Sequence, residues 1–176
     1  MDVRTICLGI LTRGDATGYE IKKLVEGGGF QHFAEASFGS IYPALNGMTQ
    51  TGLVSVRAEA QEKRPDRKVY SITPKGRSAL IATLLKPLPE DRHRSPFMFA
   101  IQFADLLPKD HISQMLDAYT AQIEEELRRL RQTKTAPKTA GESFVRDFGL
   151  SMYAGMLDYL RTHRGRIETP KAEAAE

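Results

Sequence analysis

The sequence has little of several things, and each shortage narrows what it can be. Its one cysteine, Cys7, cannot form a disulfide within the chain. The thiol falls on the apolar side of a predicted helix, which fits a reducing compartment. A reactive thiol is the competing role, but within that helix only Arg4 is placed to activate it. No uncharged apolar run approaches the roughly 20 residues that a bilayer-spanning helix needs. Residues 3–11 are too short, too interrupted by polar side chains and too poor in a small-residue cleavage signature to read as a secretory leader. A cytoplasmic protein with no membrane contact is therefore expected.

Chemical machinery is scarce as well. The four histidines, His32, His93, His111 and His163, stand singly, so no Cys/His cluster has metal-ligand spacing. Gly27-Gly28-Gly29 lacks both the GxGxxG pattern and the downstream lysine-serine pair of a phosphate-binding loop. No serine has a readable base. The chain does not read as an enzyme, and no cofactor or metal is expected.

Charge of one sign is only slightly in excess, at a formal +3. Its placement is more informative than its size. Residues 1–85 carry 11 basic and 8 acidic side chains, whereas residues 86–176 carry 14 of each. Excess positive charge in the N-terminal half is compatible with a phosphate-facing surface, and equally with an ordinary solvated one.

What is present is a clear succession of periods. Val3, Ile6, Cys7, Ile10 and Leu11 recur at helical spacing over residues 3–13. Thr17 followed by Glu20 is a capping-box pattern opening a second helix with Tyr19, Ile21, Leu24 and Val25, which the triglycine stops. After a connector containing Phe30 and Phe33, a third helix is predicted over residues 40–50. Ile41, Leu45 and Met48 turn inward there, Pro43 falls in its first turn and Gly52 ends it. Residues 53–56 and 68–72 then read as two strands of a hairpin with a charged tip, and Thr73-Pro74 as the cap and first residue of a helix reaching about Leu85. Leu80, Ile81, Leu84 and Leu85 are its expected apolar side.

Three helices, a basic hairpin and a further helix are the order of a winged helix-turn-helix. A helix can enter the roughly 12 Å wide major groove when its outer face carries short or flat groups. Here that face offers Ser40, Tyr42, Asn46 and Gln50. Asn and Gln amides match an adenine edge, and Ser and Tyr hydroxyls suit phosphate or sugar. Lys63, Arg64, Arg67 and Lys68 give the wing the charge to lie along a backbone. A plain solvated helix face remains the alternative for these side chains taken alone.

The sequence resembles the PadR family of bacterial transcriptional regulators, in particular the subgroup with a longer helical C-terminal domain. The likeness runs through Ile10-Leu11, Gly18-Tyr19-Glu20-Ile21, Gly39-Ser40-Ile41-Tyr42-Pro43-Ala44-Leu45 and Thr51-Gly52-Leu53-Val54. It continues through residues 68–77, Lys68-Val69-Tyr70-Ser71-Ile72-Thr73-Pro74-Lys75-Gly76-Arg77. The resemblance implies that Ser40, Tyr42 and Pro43 lie at the start of the recognition helix, and that Arg67 and Lys68 lie on the wing strand beside the DNA backbone. It also implies that Tyr19 and Ile21 are structural rather than DNA-contacting. The triglycine departs from relatives, which keep a more ordinary helix end at that place.

In the second half, Phe97, Phe99, Ile101, Phe103 and Leu106 suggest an aromatic-rich helix between Pro96 and Pro108. A long helix is predicted over residues 109–132, flanked by Glu124, Glu125 and Glu126 ahead of Arg128, Arg129 and Arg131. A final one is predicted over residues 142–164, with Phe144, Phe148, Met152, Gly155, Met156, Tyr159 and Leu160 along one broad side. Two such helices carry more apolar face than the wing domain can cover, so a second copy is the expected cover. Phe144, Phe148, Met152, Met156, Tyr159 and Leu160 are the candidate dimer residues, and the resemblance implies the same role.

The expected architecture is mainly α with a small β-hairpin. It comprises a winged helix-turn-helix over residues 1–86, a helical dimerisation domain over 94–166 and a disordered tail over 167–176. The expected activity is that of a repressor whose homodimer binds pseudo-palindromic double-stranded DNA. The alternative is a winged-helix protein-interaction module without DNA binding. A small-molecule effector between the domains is a further candidate partner, with Phe97, Phe99 and Phe103 as lining residues or, alternatively, as plain core.

Overall fold

The computed structural model describes residues 1–27, 30, 38–61, 64–91, 95–133 and 136–168. The chain divides into two compact units, Met1–Asp91 and Arg92–Glu176.

The first unit begins with α1 (Val3–Leu11), capped by the Asp2 carboxylate accepting from the Thr5 amide at 2.8 Å. Its core side is Ile6, Cys7, Ile10 and Leu11, and Leu8 is buried as well. Cys7 has no exposed surface, and burial pushes its thiol up to about 11. A thiol so protonated is a small apolar core group, not a nucleophile.

α2 (Gly18–Gly27) starts on the expected capping box. The Glu20 amide donates to the Thr17 hydroxyl at 3.2 Å, and the Thr17 amide donates back to the Glu20 carboxylate at 2.7 Å. Ahead of it, Ala16–Thr17 form a two-residue strand, β1, which the sequence did not signal because two residues have no period. Phe30 packs against the core, whereas Phe33 and the last two glycines of the triglycine lie outside the described residues.

α3 (Ile41–Gln50) follows a single 3-10 turn, Phe38–Ser40. Ser40 belongs to that turn and its side chain does not cap α3, so the helix proper begins one residue later than expected. Ile41, Leu45 and Met48 have no exposed surface. The helix ends in a Schellman stop. Gly52 takes φ +71°, its amide donates to the Thr49 carbonyl, and the Leu53 amide reaches back to Met48 at 2.9 Å.

β2 (Val54–Gln61) and β3 (Arg64–Ile72) pair antiparallel, and β1 joins the other side of β3, giving the order β1-β3-β2. The expected two-stranded hairpin is thus the larger part of a three-stranded sheet.

α4 (Pro74–Leu84) is locked onto the end of α3. The Thr73 hydroxyl accepts from the Gly76 amide at 3.0 Å and donates to the Gly52 carbonyl at 2.8 Å, and Lys75 Nζ donates to the Thr51 carbonyl at 2.8 Å. A Cβ on Gly76 would stand 2.1 Å from the Leu53 carbonyl oxygen. That approach sets the rotation of α4, turning Gly76 and Leu80 inward. Ile81, Leu84 and Leu85, expected on the apolar side, are instead exposed. The expectation failed because a glycine contact, rather than the largest apolar stripe, decides which side faces the core.

In the second unit, α5 (Pro96–Gln102) is capped by Ser95, whose hydroxyl accepts from the Met98 amide at 3.1 Å. The helix stops before Phe103, and a separate 3-10 turn, Ala104–Leu106, follows, so the expected single aromatic helix is two pieces. α6 (Lys109–Arg131) and α7 (Ala140–His163) run antiparallel, with Ile123 and Leu127 packed against Tyr153 and Leu157. Arg161 pairs with Glu124 at 2.6 Å and Arg164 with Asp117 at 2.8 Å along the same seam.

A short α8 (Gly165–Glu168) closes the described chain. Ile167 packs against the cluster of Ala104, Ile112 and Leu116, while the Glu168 carboxylate accepts from Ser113 at 2.9 Å and from Arg164 at 2.7 Å. Ordered structure therefore extends two residues into the stretch expected to be a disordered tail.

Gly76→Ala is expected to destabilise the first unit by about 1–3 kcal/mol, because a backbone oxygen has no rotamer with which to make room. Chemical denaturation followed by circular dichroism measures it. An unchanged midpoint would mean that α4 can back away from Leu53 at no cost.

Candidate nucleic-acid interface

Because Ile41, Leu45 and Met48 are consumed by the core, the outward stripe of α3 is fixed. Tyr42, Asn46 and Gln50, spaced at i, i+4 and i+8, are all exposed, as is Pro43 in the first turn. Ser40 is half-buried just ahead of them. The stripe combines two amides and a phenol with no charge, a surface able to read base edges without repelling phosphate.

Tyr42 is about half exposed and packs at the start of α2. Its ring lies over Gly18 at the start of α2, where a Cβ would meet Tyr42 Cε1 at 2.6 Å. The phenol of Tyr70 on β3 is buried and raised above its ordinary value, first by desolvation and then by its neighbour Tyr42. Gly18, Tyr42 and Tyr70 thus bring the start of α2, the start of α3 and the sheet together at one point. The sequence placed Tyr42 on the interface but gave no role to Gly18. The missed signal was a glycine in a first helical turn, where relief from a close contact is the usual reason for having no side chain.

Tyr19 corrects the sequence reading. It is 69% exposed, so only Ile21 of that pair is a core residue. In a helix whose core positions are 21 and 25, residue 19 falls well away from the buried stripe.

On the hairpin, Lys63 lies outside the described residues, and so does the side chain of Arg64. Arg67 and Lys68, grouped as neighbours in the sequence, point to opposite faces of β3. Arg67 stands opposite Glu59 and donates to its carboxylate from Nε at 2.7 Å and from Nη2 at 2.5 Å. Lys68 stands opposite Ala58 and is exposed. On the Arg67 face, Arg57 donates to Asp15 at 2.5 Å and to the Ser71 hydroxyl at 3.3 Å, and it pairs with Glu59 at 3.4 Å. These bonds hold the Asp15 carboxyl below the usual range, chiefly through Arg57, and that of Glu59, chiefly through Arg67. Both carboxyls are therefore charged at neutral pH.

Among the described residues no three His, Cys, Asp or Glu side chains gather to hold a metal ion, and no helix is long and apolar enough to cross a membrane.

In the second unit the broad apolar side expected on α7 divides in two. Met156 and Leu160 pack with Tyr153 and Leu157 against α6. Phe144, Phe148, Met152 and Tyr159 face outward with 72%, 63%, 43% and 60% of their surface exposed.

Residues 7–82, which hold both the α3 stripe and the hairpin, match the transcriptional regulator PadR-like family. Over those residues the chain is similar to a PadR-like domain. The negative transcriptional regulator PadR of Bacillus subtilis is 28% identical over 110 residues, spanning 61% of this chain and 59% of that protein. Similarity of structure reaches further along the chain than this. A protein from Streptococcus mutans, 25% identical, matches with a TM-score of 0.81 over 94% of this chain and 99% of its own. Bacillus subtilis PadR in complex with operator DNA, 21% identical, matches with a TM-score of 0.76 over 93% of this chain and 98% of its own. The PadR-like fold, a winged helix followed by a helical C-terminal unit, therefore extends over both units.

The packing of Tyr42 on Gly18 makes a sign prediction. Gly18→Ala should destabilise the native chain, because the ring must shift. In a Tyr42→Ala background the same change should be neutral or stabilising, since alanine is the better helix residue by about 0.5–1 kcal/mol. A double-mutant denaturation cycle measures the coupling, and additive effects would show that the two residues do not touch.

Proposed function

We propose that this chain is a sequence-specific, DNA-binding transcriptional repressor acting as a homodimer on a pseudo-palindromic operator. The observation that carries the reading is the uncharged stripe Tyr42-Asn46-Gln50, held outward by three core side chains with no exposed surface. The relative named as a negative transcriptional regulator and the PadR structure with operator DNA support it. Asn46 is the base-reading residue and presents a donor and an acceptor to adenine N6 and N7. Tyr42, whose ring lies over Gly18, orients the helix on the sugar-phosphate backbone. Gln50 reads or bridges at the far end of the stripe. Such a regulator works in the cytoplasm, where the operator is, and performs no catalysis.

Dimer formation uses the outward half of α7. Phe144, Phe148, Met152 and Tyr159 form an apolar strip that a single chain leaves in water, and burying it against a second copy gains roughly 25 cal/mol per Å². Met156 and Leu160 support that strip from the α6 side. Two-fold symmetry then sets two recognition helices on equivalent half-sites.

Asn46→Ala should flatten base preference at one symmetric pair of operator positions by about 1–3 kcal/mol while leaving affinity for random duplex nearly unchanged. Binding to a library with every operator position varied tests this. An unchanged preference profile would move base reading to another side chain or to duplex shape.

Replacing Phe144 and Phe148 together with Glu should give a monomer of unchanged helicity, because neither side chain belongs to the core of its own chain. Sedimentation reads the mass and circular dichroism the fold. A dimer that persists would place the interface elsewhere.

A further inference from the structure

Resting on the reading of α3 and the hairpin as the duplex-binding surface, we propose that Asp15, Arg57, Glu59 and Arg67 form a positioning ladder that fixes the wing on the domain. Phosphate contacts at the wing's base then come from the Lys68 face and not from Arg67.

Strand alternation separates the two faces. Ser55, Arg57 and Glu59 on β2 stand opposite Ser71, Val69 and Arg67 on β3, whereas Val54, Val56 and Ala58 stand opposite Ile72, Tyr70 and Lys68. The second face is the one that packs toward the recognition helix, since Val54 and Tyr70 share one core cluster with Ile41, Leu45 and Met48. A duplex lying along α3 therefore approaches the side that carries Lys68, which has no carboxylate partner among the described residues.

The first face is already satisfied. Both Arg67 bonds go to Glu59, and the Glu20 carboxyl lies within its field as well. Between them, Asp15 and Glu59 bond both Arg57 and Arg67, so the two described arginines of this face are already paired and offer phosphate little.

Its geometry is that of a brace. In the order β1-β3-β2, Arg57 sits on one edge strand and Asp15 just ahead of the other. Their pair, with Ser71 between them, spans the central strand. Glu59 hands the connection on to Arg67, one step nearer the tip. Exposed pairs of this kind add little to global stability, so the consequence of the network is the angle and local rigidity of the hairpin.

Two measurements on the full-length chain test this, using random-sequence duplex as the probe. Amide hydrogen exchange of the hairpin should quicken roughly threefold in Glu59→Gln and Arg67→Met, the size expected for losing exposed pairing. Arg67→Lys, which keeps the charge opposite Glu59, should retain protection, and Lys68→Met should leave exchange unchanged. In a salt series, Lys68→Met should lower the slope of log affinity against log salt by about one, and Arg67→Met should not change it.

A slope lowered by Arg67→Met would put Arg67 on phosphate and overturn the assignment of faces. Exchange unaffected by Glu59→Gln and Arg67→Met, or not restored by Arg67→Lys, would overturn the brace. If the unaltered chain shows no salt-dependent duplex binding, the DNA-binding reading and the Lys68 assignment fail together, while the exchange measurement still decides whether the ladder braces the hairpin.

Discussion

The first unit depends on the burial of Ile41, Leu45 and Met48. Three side chains with no exposed surface, at spacings of four and three, leave α3 one allowed rotation about its axis. The outward stripe follows from that rotation, and so does the position of Gly52, where the chain must take a left-handed turn to leave the helix. The carbonyls freed at that turn receive the start of α4, through Thr73, Lys75 and the bare backbone of Gly76. A surface able to read a groove is thus held from behind by packing and from its end by backbone contacts, and none of those groups need face a ligand.

Local signals carried well from sequence to structure where the cause is itself local. The capping box of Thr17 and Glu20, the Thr73-Pro74 start, the Gly52 stop and the core stripe of α3 all involve residues within one or two turns of each other. The losses were tertiary. Ala16–Thr17 became a strand only because β3 lies beside it. Ile81, Leu84 and Leu85 look like a core side until Gly76 meets Leu53. On α7 the sequence offered one broad apolar face, and only the place where α6 lies separates Met156 and Leu160 from Phe144, Phe148, Met152 and Tyr159. Arg67 and Lys68 are consecutive in a strand, so a basic cluster counted along the sequence divides between the two faces of the sheet.

The same partition distributes the hairpin's described charges unequally over its two faces. Glu59 and Asp15 do not simply cancel the arginines. Strand alternation sets them beside the arginines on one side of the sheet and leaves Lys68 on the other. The sign of the potential over each face matters more for approach to a polyanion than the total.

Cys7 has a practical consequence that comes from its being solitary. With no other sulfhydryl in the chain and none of its surface open, it can react with an added alkylating reagent only when α1 lifts from the rest of the first unit. The rate of such labelling is a direct clock for breathing of the N-terminal core, to which the C-terminal helices contribute no signal, and ligands or substitutions can be ranked by how far they slow it.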